Sequence, residues 1–391
     1  MQKKFIALAV AALASGAAFA QSNVQIYGVA DLSFESVKAE GAAGAGANMP
    51  SRNRLQTNSS YLGFKGSEDL GNGLKALFQI ETAVNFDNQN GADTAGLTPS
   101  GNAYAGVNQQ FSNAGNTAGG SMRDTYVALA GNFGTVLAGY VSTPYRSISA
   151  GFDVMPGATG IGGYNGVFGR ATGAVNLNFR TQAVAYATPT FSGFSGVIAY
   201  VPNEGKSMSN VANSVNPGGY NLALNYANGG LKAAYSYLSL TDVGVGGLTD
   251  EKHKAHLLAA GYDFGQGTTL NAMYQKFNGD VNAGAGNLDV NRNSYWIGVK
   301  HVIGANELAA SYAVARDTTG NLFANNGDQG AKQFALRYGY NFSKRTQAYA
   351  IYSKVTNDAG ASFNFGAGTN TTAAGAGADP TAWGVGVRHS F

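Results

Sequence analysis

Hydrophobic and polar residues alternate along the last nine residues of the chain, Trp383–Phe391. One face of the predicted strand carries the large apolar side chains, while the other carries glycine, serine and Arg388. Such a strand separates a wet space from an apolar one. Because a terminal strand leaves an unpaired edge, the pattern fits either the last strand of a soluble β-sandwich or the closing strand of a barrel.

The same period of two recurs upstream. Residues 24–35 place Asp31 and Glu35 opposite an apolar face. Other segments that repeat the pattern are 61–65, 74–81, 220–226 and 333–340. Each of them is therefore predicted to be a strand with one polar and one apolar face.

The connections between these strands alternate in length. Seven short turns, such as Gly66–Gly73, and eight long loops, such as Val37–Arg52 and Asn278–Asn291, join sixteen predicted strands. Short turns at one rim and long loops at the other are typical of outer-membrane barrels. We predict an all-β fold, a 16-stranded antiparallel transmembrane β-barrel, which at this size encloses an aqueous lumen.

The N-terminus predicts export. Two lysines precede an apolar run that is too short to span a bilayer, and positions 18–20 read Ala-Phe-Ala, a small-residue cleavage site. We expect cleavage between Ala20 and Gln21, so that residues 1–20 are a signal peptide and residues 21–391 form one barrel domain. Loss of the two lysines lowers the formal net charge from +3 to +1. This nearly neutral chain has no basic excess for nucleic acid.

Composition favours a membrane barrel over the sandwich. Charged residues make up 12% of the chain, about half the share of an ordinary soluble domain. Cysteine is absent, and no run of 18 apolar residues follows position 20, which excludes transmembrane helices. A bilayer accepts such a chain only as a closed barrel, in which every backbone polar group is paired.

Several motifs resemble those of the general porins of Gram-negative bacteria, in particular the neisserial and β-proteobacterial branch. The resemblance covers residues 21–391. The segments that carry it are Leu62–Ala76, Phe133–Val136, Arg180 with Ala183–Phe194, Tyr340–Thr346 and Gly386–Phe391.

The resemblance implies a homotrimer of barrels in the cell outer membrane, each with its own pore. It also implies that the third long loop, here Ser142–Phe179, folds inward and narrows the lumen. In that loop Asp153 matches the constriction segment, and Arg146 and Arg170 flank it. Arg180 matches an interior arginine of the family.

Two positions depart from the family pattern, because Tyr61 and Tyr140 stand where arginine is common. Arg52, Arg54 and Arg123 are candidates to compensate. With a single acid in the loop, we predict a channel that prefers anions weakly. The alternation also predicts inward polar side chains; these are Asp31, Glu35, Lys65, Lys75, Glu81, Arg180, Lys232, Arg337 and Arg388.

No pattern in the sequence points to an enzyme or to a cofactor. His253 and His256 are three residues apart and fall on opposite faces of a strand, so they do not form a metal pair. Two other functions stay open, a substrate-specific channel and an exported adhesin without a channel. The expected partners of a porin are two further copies, outer-membrane lipid, small hydrophilic solutes and, through Phe391, the outer-membrane assembly machinery.

We predict that deletion of Phe391 reduces insertion into the outer membrane far more than it changes single-channel conductance. The resemblance to the porin family implies that this terminal phenylalanine is an assembly signal. Quantifying the protein in outer-membrane fractions and recording the purified channel separate the two effects. Normal accumulation of the truncated protein in those fractions contradicts this role.

Overall fold

The computed structural model describes residues 23–44, 47–84, 86, 122–158, 160–170, 176–204, 206, 216–241, 252–282, 287–320, 327–366 and 375–391. The predicted cleavage site at Ala20 and Gln21 lies outside these residues, as does most of the second long loop.

The described residues form seventeen strand segments in one antiparallel sheet. In chain order the segments are β1 (Asn23–Glu40), β2 (Met49–Thr57), β3 (Tyr61–Gly71), β4 (Leu74–Ala83), β5 (Thr125–Gly131), β6 (Gly134–Ser142), β7 (Arg180–Ala187), β8 (Phe194–Val201), β9 (Gly218–Asn228), β10 (Leu231–Thr241), β11 (Lys252–Gly265), β12 (Thr268–Asn282), β13 (Asn287–Ile303), β14 (Asn306–Ala315), β15 (Ala331–Asn341), β16 (Thr346–Asn357) and β17 (Asp379–Ser390). A helix, α1 (Pro144–Phe152), and two 3-10 turns at Pro156–Ala158 and Tyr164–Gly166 lie between β6 and β7. Within the described residues, no helix is long and apolar enough to cross a membrane.

Strand β1 closes the sheet into a barrel. On one side it pairs with β17 from Val29 to Glu40, and Phe391 exchanges two backbone hydrogen bonds of 3.1 Å with Gly28. On the other side it pairs with β2 and then with β3. Because β2 and β3 follow one another along β1, they form one barrel strand that is interrupted at residues 58–60. The barrel therefore has sixteen strands, which confirms the predicted fold.

The two faces of the wall match the predicted alternation. Asp31 and Glu35 on the inner face are no more than 3% exposed. Trp383, Val385 and Val387 on the outer face are 48–52% exposed, as expected for side chains that contact lipid.

Aromatic rings cover glycines on neighbouring strands. A Cβ atom on Gly28 would lie 2.6 Å from both the Phe391 ring and the carbonyl oxygen of Tyr61, and one on Gly386 would lie 2.5 Å from the Tyr349 ring. Glycine leaves a gap in a strand, and a cross-strand ring fills it. The terminal phenylalanine is therefore part of the seam packing.

Two predicted loops are shorter than the sequence pattern suggests. The loop predicted over Asn278–Asn291 is wrong, because β12 and β13 stay paired as far as Asn282 and Asn287. Similarly, β1 continues to Glu40 and β2 begins at Met49. At these strand ends the polarity of the two faces reverses while the backbone ladder continues. Val37, Ala39 and Val290 are buried on the inner face, whereas Lys38 and Glu40 are exposed on the outer one.

Part of the barrel interior is filled with apolar side chains. One buried cluster contains wall residues such as Leu257 and Phe277 together with residues from two interstrand segments. The residues from these segments include Ile161, Tyr164, Phe168, Leu177, Phe363 and Phe365. The open part of the lumen is therefore restricted to the remainder of the cross-section.

We predict that Gly28→Ala destabilises the barrel by about 1–3 kcal/mol, because the added methyl group overlaps a backbone oxygen and the Phe391 ring. Gly327→Ala is the matched control, since its Cβ meets open space. Urea unfolding of both variants in detergent measures the difference. Equal unfolding midpoints would contradict the proposed seam packing.

Candidate pore lining

The described residues between β6 and β7, which are 143–158, 160–170 and 176–179, lie inside the barrel and are here called the inner segment. The segment begins at the N-cap of α1, where the Thr143 hydroxyl accepts a hydrogen bond from the Arg146 backbone N–H (3.2 Å) and Pro144 occupies the first turn. Helix α1 contacts β6 and β8–β12. A nine-residue helix reaches that many strands only from the concave side of the wall.

Polar side chains of the wall hold α1 through its backbone. The Asn221 Oδ1 atom accepts from the Tyr145 backbone N–H at 2.7 Å, and Asn271 Nδ2 donates to the Phe152 carbonyl at 2.7 Å. The Lys232 ammonium group lies 4.4 Å from the centre of the Phe152 ring and donates to the Gly151 carbonyl at 3.2 Å. The Tyr145 hydroxyl is also hydrogen-bonded to the wall. These bonds fix the helix in one position.

Asp153 ends α1 and folds the next turn onto it. Its carboxylate accepts hydrogen bonds from the backbone N–H groups of Met155 (3.0 Å) and Tyr164 (2.9 Å). Burial raises the pKa of this carboxyl to about 7, while the backbone N–H donors limit the rise. Asp153, predicted as a constriction acid, thus has a structural role in the turn as well.

The inner segment then reaches the wall at the seam. A Cβ atom on Gly157 would lie 3.0 Å from Arg388 Nη1, so the segment passes directly over that guanidinium group. Gln333 Nε2 donates to the Ile161 carbonyl at 3.1 Å. The segment therefore crosses the interior from β6 to the opposite wall, where Gly157 lies over Arg388.

The wall beneath this crossing carries a chain of paired charges. Arg388 Nη1 donates to Asp31 Oδ2 at 3.0 Å, and the other oxygen of Asp31 accepts from the Tyr349 hydroxyl at 2.7 Å. The Arg337 guanidinium lies 4.4 Å from the centre of the Tyr349 ring and donates to Glu307 Oε1 at 3.0 Å. Each charge in this row is buried or half-buried and has a partner, as buried charges require.

Two further pairs line the neighbouring wall. Arg54 Nη2 lies 2.7 Å from Glu35 Oε2, and Arg123 Nε lies 3.4 Å from Glu81 Oε2. The Arg123 guanidinium also lies 4.6 Å from the centre of the Tyr61 ring. Arg123 therefore lies beside Tyr61, at the position where arginine is common in the family.

A third cluster joins the inner segment to the wall beside it. Arg180 Nε lies 3.5 Å from Asp124 Oδ2, and Arg146 donates to the Asn178 carbonyl at 3.0 Å. Burial acts to raise the pKa of the Asp124 carboxyl, but Arg180, hydrogen bonds from Ser142 and the charge of Arg146 outweigh it and lower the pKa below its usual value. Asp124 is thus a carboxylate at neutral pH.

Arg170 lies on the far part of the inner segment. Its Nε donates to the Asn165 carbonyl at 3.1 Å, and its own carbonyl accepts from Gln275 of the wall at 3.2 Å. Burial lowers the pKa of the guanidinium group to about 10, so Arg170 is a cation at neutral pH.

Lys65 and Tyr140 differ in their placement. The Lys65 ammonium group lies 4.8 Å from the centre of the Tyr27 ring, on the inner face. Tyr140 shares its strand face with Val136, which is 42% exposed, whereas the adjacent Val141 is buried. Tyr140 pairs with Thr125 and Gln182 on the neighbouring strands.

Three residues that complete the charge rows were not predicted from the sequence. Glu307, Tyr349 and Asp124 complete the charge rows. Glu307 alternates with Leu308 and Tyr312, which are exposed, and this pattern indicates that Glu307 points inward. No local signal points to Asp124, which precedes β5. 

The comparisons with known proteins identify the family. The sequence pattern of the Gram-negative porins matches residues 7–360. The chain belongs to this family. The porin is 31% identical to outer membrane porin protein 32 of Delftia acidovorans over 404 aligned positions, covering 100% of both chains. It is 27% identical to the major outer membrane protein P.IB of Neisseria gonorrhoeae, covering 89% of this chain and 92% of the relative.

Solved structures agree with this assignment. An anion-selective porin from Comamonas acidovorans superposes with a TM-score of 0.74 at 29% identity, covering 95% of this porin and 100% of that chain. A trimer form of OmpT from Vibrio cholerae has a TM-score of 0.63 at 17% identity, covering 95% and 99%, and is similar in fold alone. The protein is thus an outer-membrane channel and not an enzyme.

We predict that the ratio of chloride to potassium permeability rises as the pH falls through about 7, because Asp153 then gains a proton and the inner segment loses a negative charge. Asp153→Asn should show the high ratio at every pH. Asp289→Asn, at the loop end of β13, is the control and should titrate like the wild type. If the permeability ratio depends on pH identically in all three proteins, Asp153 is not the group that titrates.

Proposed function

We propose that this porin passes ions and small hydrophilic solutes by passive diffusion and prefers anions weakly. The observation that carries the proposal is the balance of charge on the inner wall. Five carboxylates each lie within 3.5 Å of an arginine nitrogen; the pairs are Asp31–Arg388, Glu35–Arg54, Glu81–Arg123, Asp124–Arg180 and Glu307–Arg337. Each pair is electrically neutral as a whole and adds little to the field in the lumen.

Several cations remain on the inner face beyond these pairs, and Lys65 and Lys232 are two of them. Lys65 contacts the Tyr27 ring, and Lys232 contacts the Phe152 ring and the Gly151 carbonyl. The inner segment contributes the opposite charge of Asp153, but this carboxyl is only partly ionised at neutral pH. A small positive excess in a water-filled channel favours anions, since fixed charges at the wall set selectivity.

The narrowest part of the channel, in this proposal, lies between the inner segment and the arginine wall near Gly157 and Arg388. The segment is fastened to the wall by side chain-to-backbone hydrogen bonds, so the opening is of fixed size. This rigidity favours a general diffusion pore whose selectivity depends on diameter and charge.

Assembly is the second part of the proposal. We infer a homotrimer, as the family resemblance implies and as the trimer form of OmpT supports. Export through cleavage between Ala20 and Gln21 precedes insertion, and Phe391, which is 47% exposed on the outer face, serves as the assembly signal.

We predict that the wild-type channel is about two- to three-fold more permeable to chloride than to potassium, and that Lys65→Glu with Lys232→Glu reverses the preference. Reversal potentials in a potassium chloride gradient across a planar bilayer measure this. Lys332→Glu changes the same charge on the outer face and should leave the ratio unchanged. Strong cation preference of the wild-type channel would contradict the proposal.

A further inference from the structure

An apolar groove crosses the outer wall between β8 and β14. It has a volume of about 870 Å³. Its floor is a row of small side chains on three adjacent strands, Ala233, Ala260 and Ala272, which the strand registers place side by side. Rings stand along its margins; they are Phe194, Tyr226, Tyr235, Tyr274, Tyr295 and Tyr312. Such a surface suits a flexible hydrocarbon chain.

The groove lies on the lipid-exposed face. Leu258 and Ile297, which line it, are 52% and 48% exposed. The inward neighbours of the floor residues, such as Ala234 and Met273, are buried. The groove is therefore separate from the pore.

Two lysines lie next to the groove, on the side of the long loops. The registers align Tyr237, His256, Lys276 and Asn293 across four strands, one outward position beyond the aromatic margin. Lys254 occupies the following row, between Ser239 and Asn278. Successive outward residues are about 7 Å apart along a strand, so both lysines are within reach of a headgroup whose chains occupy the groove.

These lysines are not neutralised by the wall. Among the described residues, no carboxylate oxygen lies within 4.0 Å of Lys254 or Lys276. The acids on this face, Asp280 and Asp289, come two rows beyond Lys276, in the row of Lys252. The strip between the groove and these acids is therefore positive.

We propose that this outer wall binds a phosphorylated, multiply acylated lipid of the outer leaflet, with acyl chains in the groove and phosphate groups on Lys254 and Lys276. The long-loop rim of a porin faces the outside, so the two lysines lie at the level of outer-leaflet headgroups. Hydrocarbon and phosphate in one molecule match the two adjacent surfaces. Phenolic and amide groups beside the lysines supply further hydrogen-bond donors for the phosphate.

The test uses the purified full-length porin in detergent and native mass spectrometry with added lipid A, the bis-phosphorylated, multiply acylated disaccharide. Dephosphorylated lipid A and phosphatidylcholine are the comparison probes. The double variant Lys254→Gln with Lys276→Gln should bind lipid A roughly 25-fold more weakly, about five-fold for each lysine. Lys332→Gln, which removes an exposed lysine four strands from β11, should bind like the wild type.

The groove is tested separately. Ala260→Trp fills the floor of the groove and should abolish lipid binding. If the tryptophan prevents folding, the smaller change Ala272→Leu should still weaken lipid binding. Ala350→Trp, an exposed outer-face position outside the groove, is the matched control.

Two results would overturn the proposal. One is equal affinity for lipid A with and without phosphates. The other is that Ala260→Trp and Ala272→Leu leave lipid binding unchanged and instead alter the number of subunits, which would make the groove a contact between copies of the chain.

Discussion

The structure depends on one constraint, which is that every backbone N–H and C=O group within the bilayer needs a hydrogen-bond partner inside the protein. A sheet satisfies this only when its first and last strands pair. Strand β1 does so with β17, and the two bonds between Gly28 and Phe391 extend the ladder to the last residue. Where β2 and β3 are interrupted, Ser60 bonds both backbone groups of Asp31, at 2.8 and 3.0 Å, and replaces the missing ladder.

The same requirement organises the interior. The inner segment has little regular structure, so its buried backbone groups need other partners. Asn221, Asn271 and Gln333 of the wall supply them. Asp153 does the same from within the segment. The polar inner face therefore both lines a wet channel and holds the segment that crosses it.

Alternation predicted the wall well because a strand side chain's direction depends only on its position in the strand. Asp31, Glu35 and Arg388 lie on the inner face for this reason. The prediction of strand length failed where the polarity of the two faces reverses, as over Asn278–Asn291. Asp153 was identified by the resemblance, but its hydrogen bonds to backbone N–H groups depend on the conformation of the loop.

The sequence by itself determined the period of two, the number of strands, the two faces and the membership of the porin family, because these depend on residues close together in the chain. The tertiary structure decided which charges meet. Asp31 and Arg388 are 357 residues apart and pair only after the barrel closes in one register. Gly157 lies over that pair only because the inner segment crosses the lumen. Closure and register depend on all the strands together, and no local pattern specifies them.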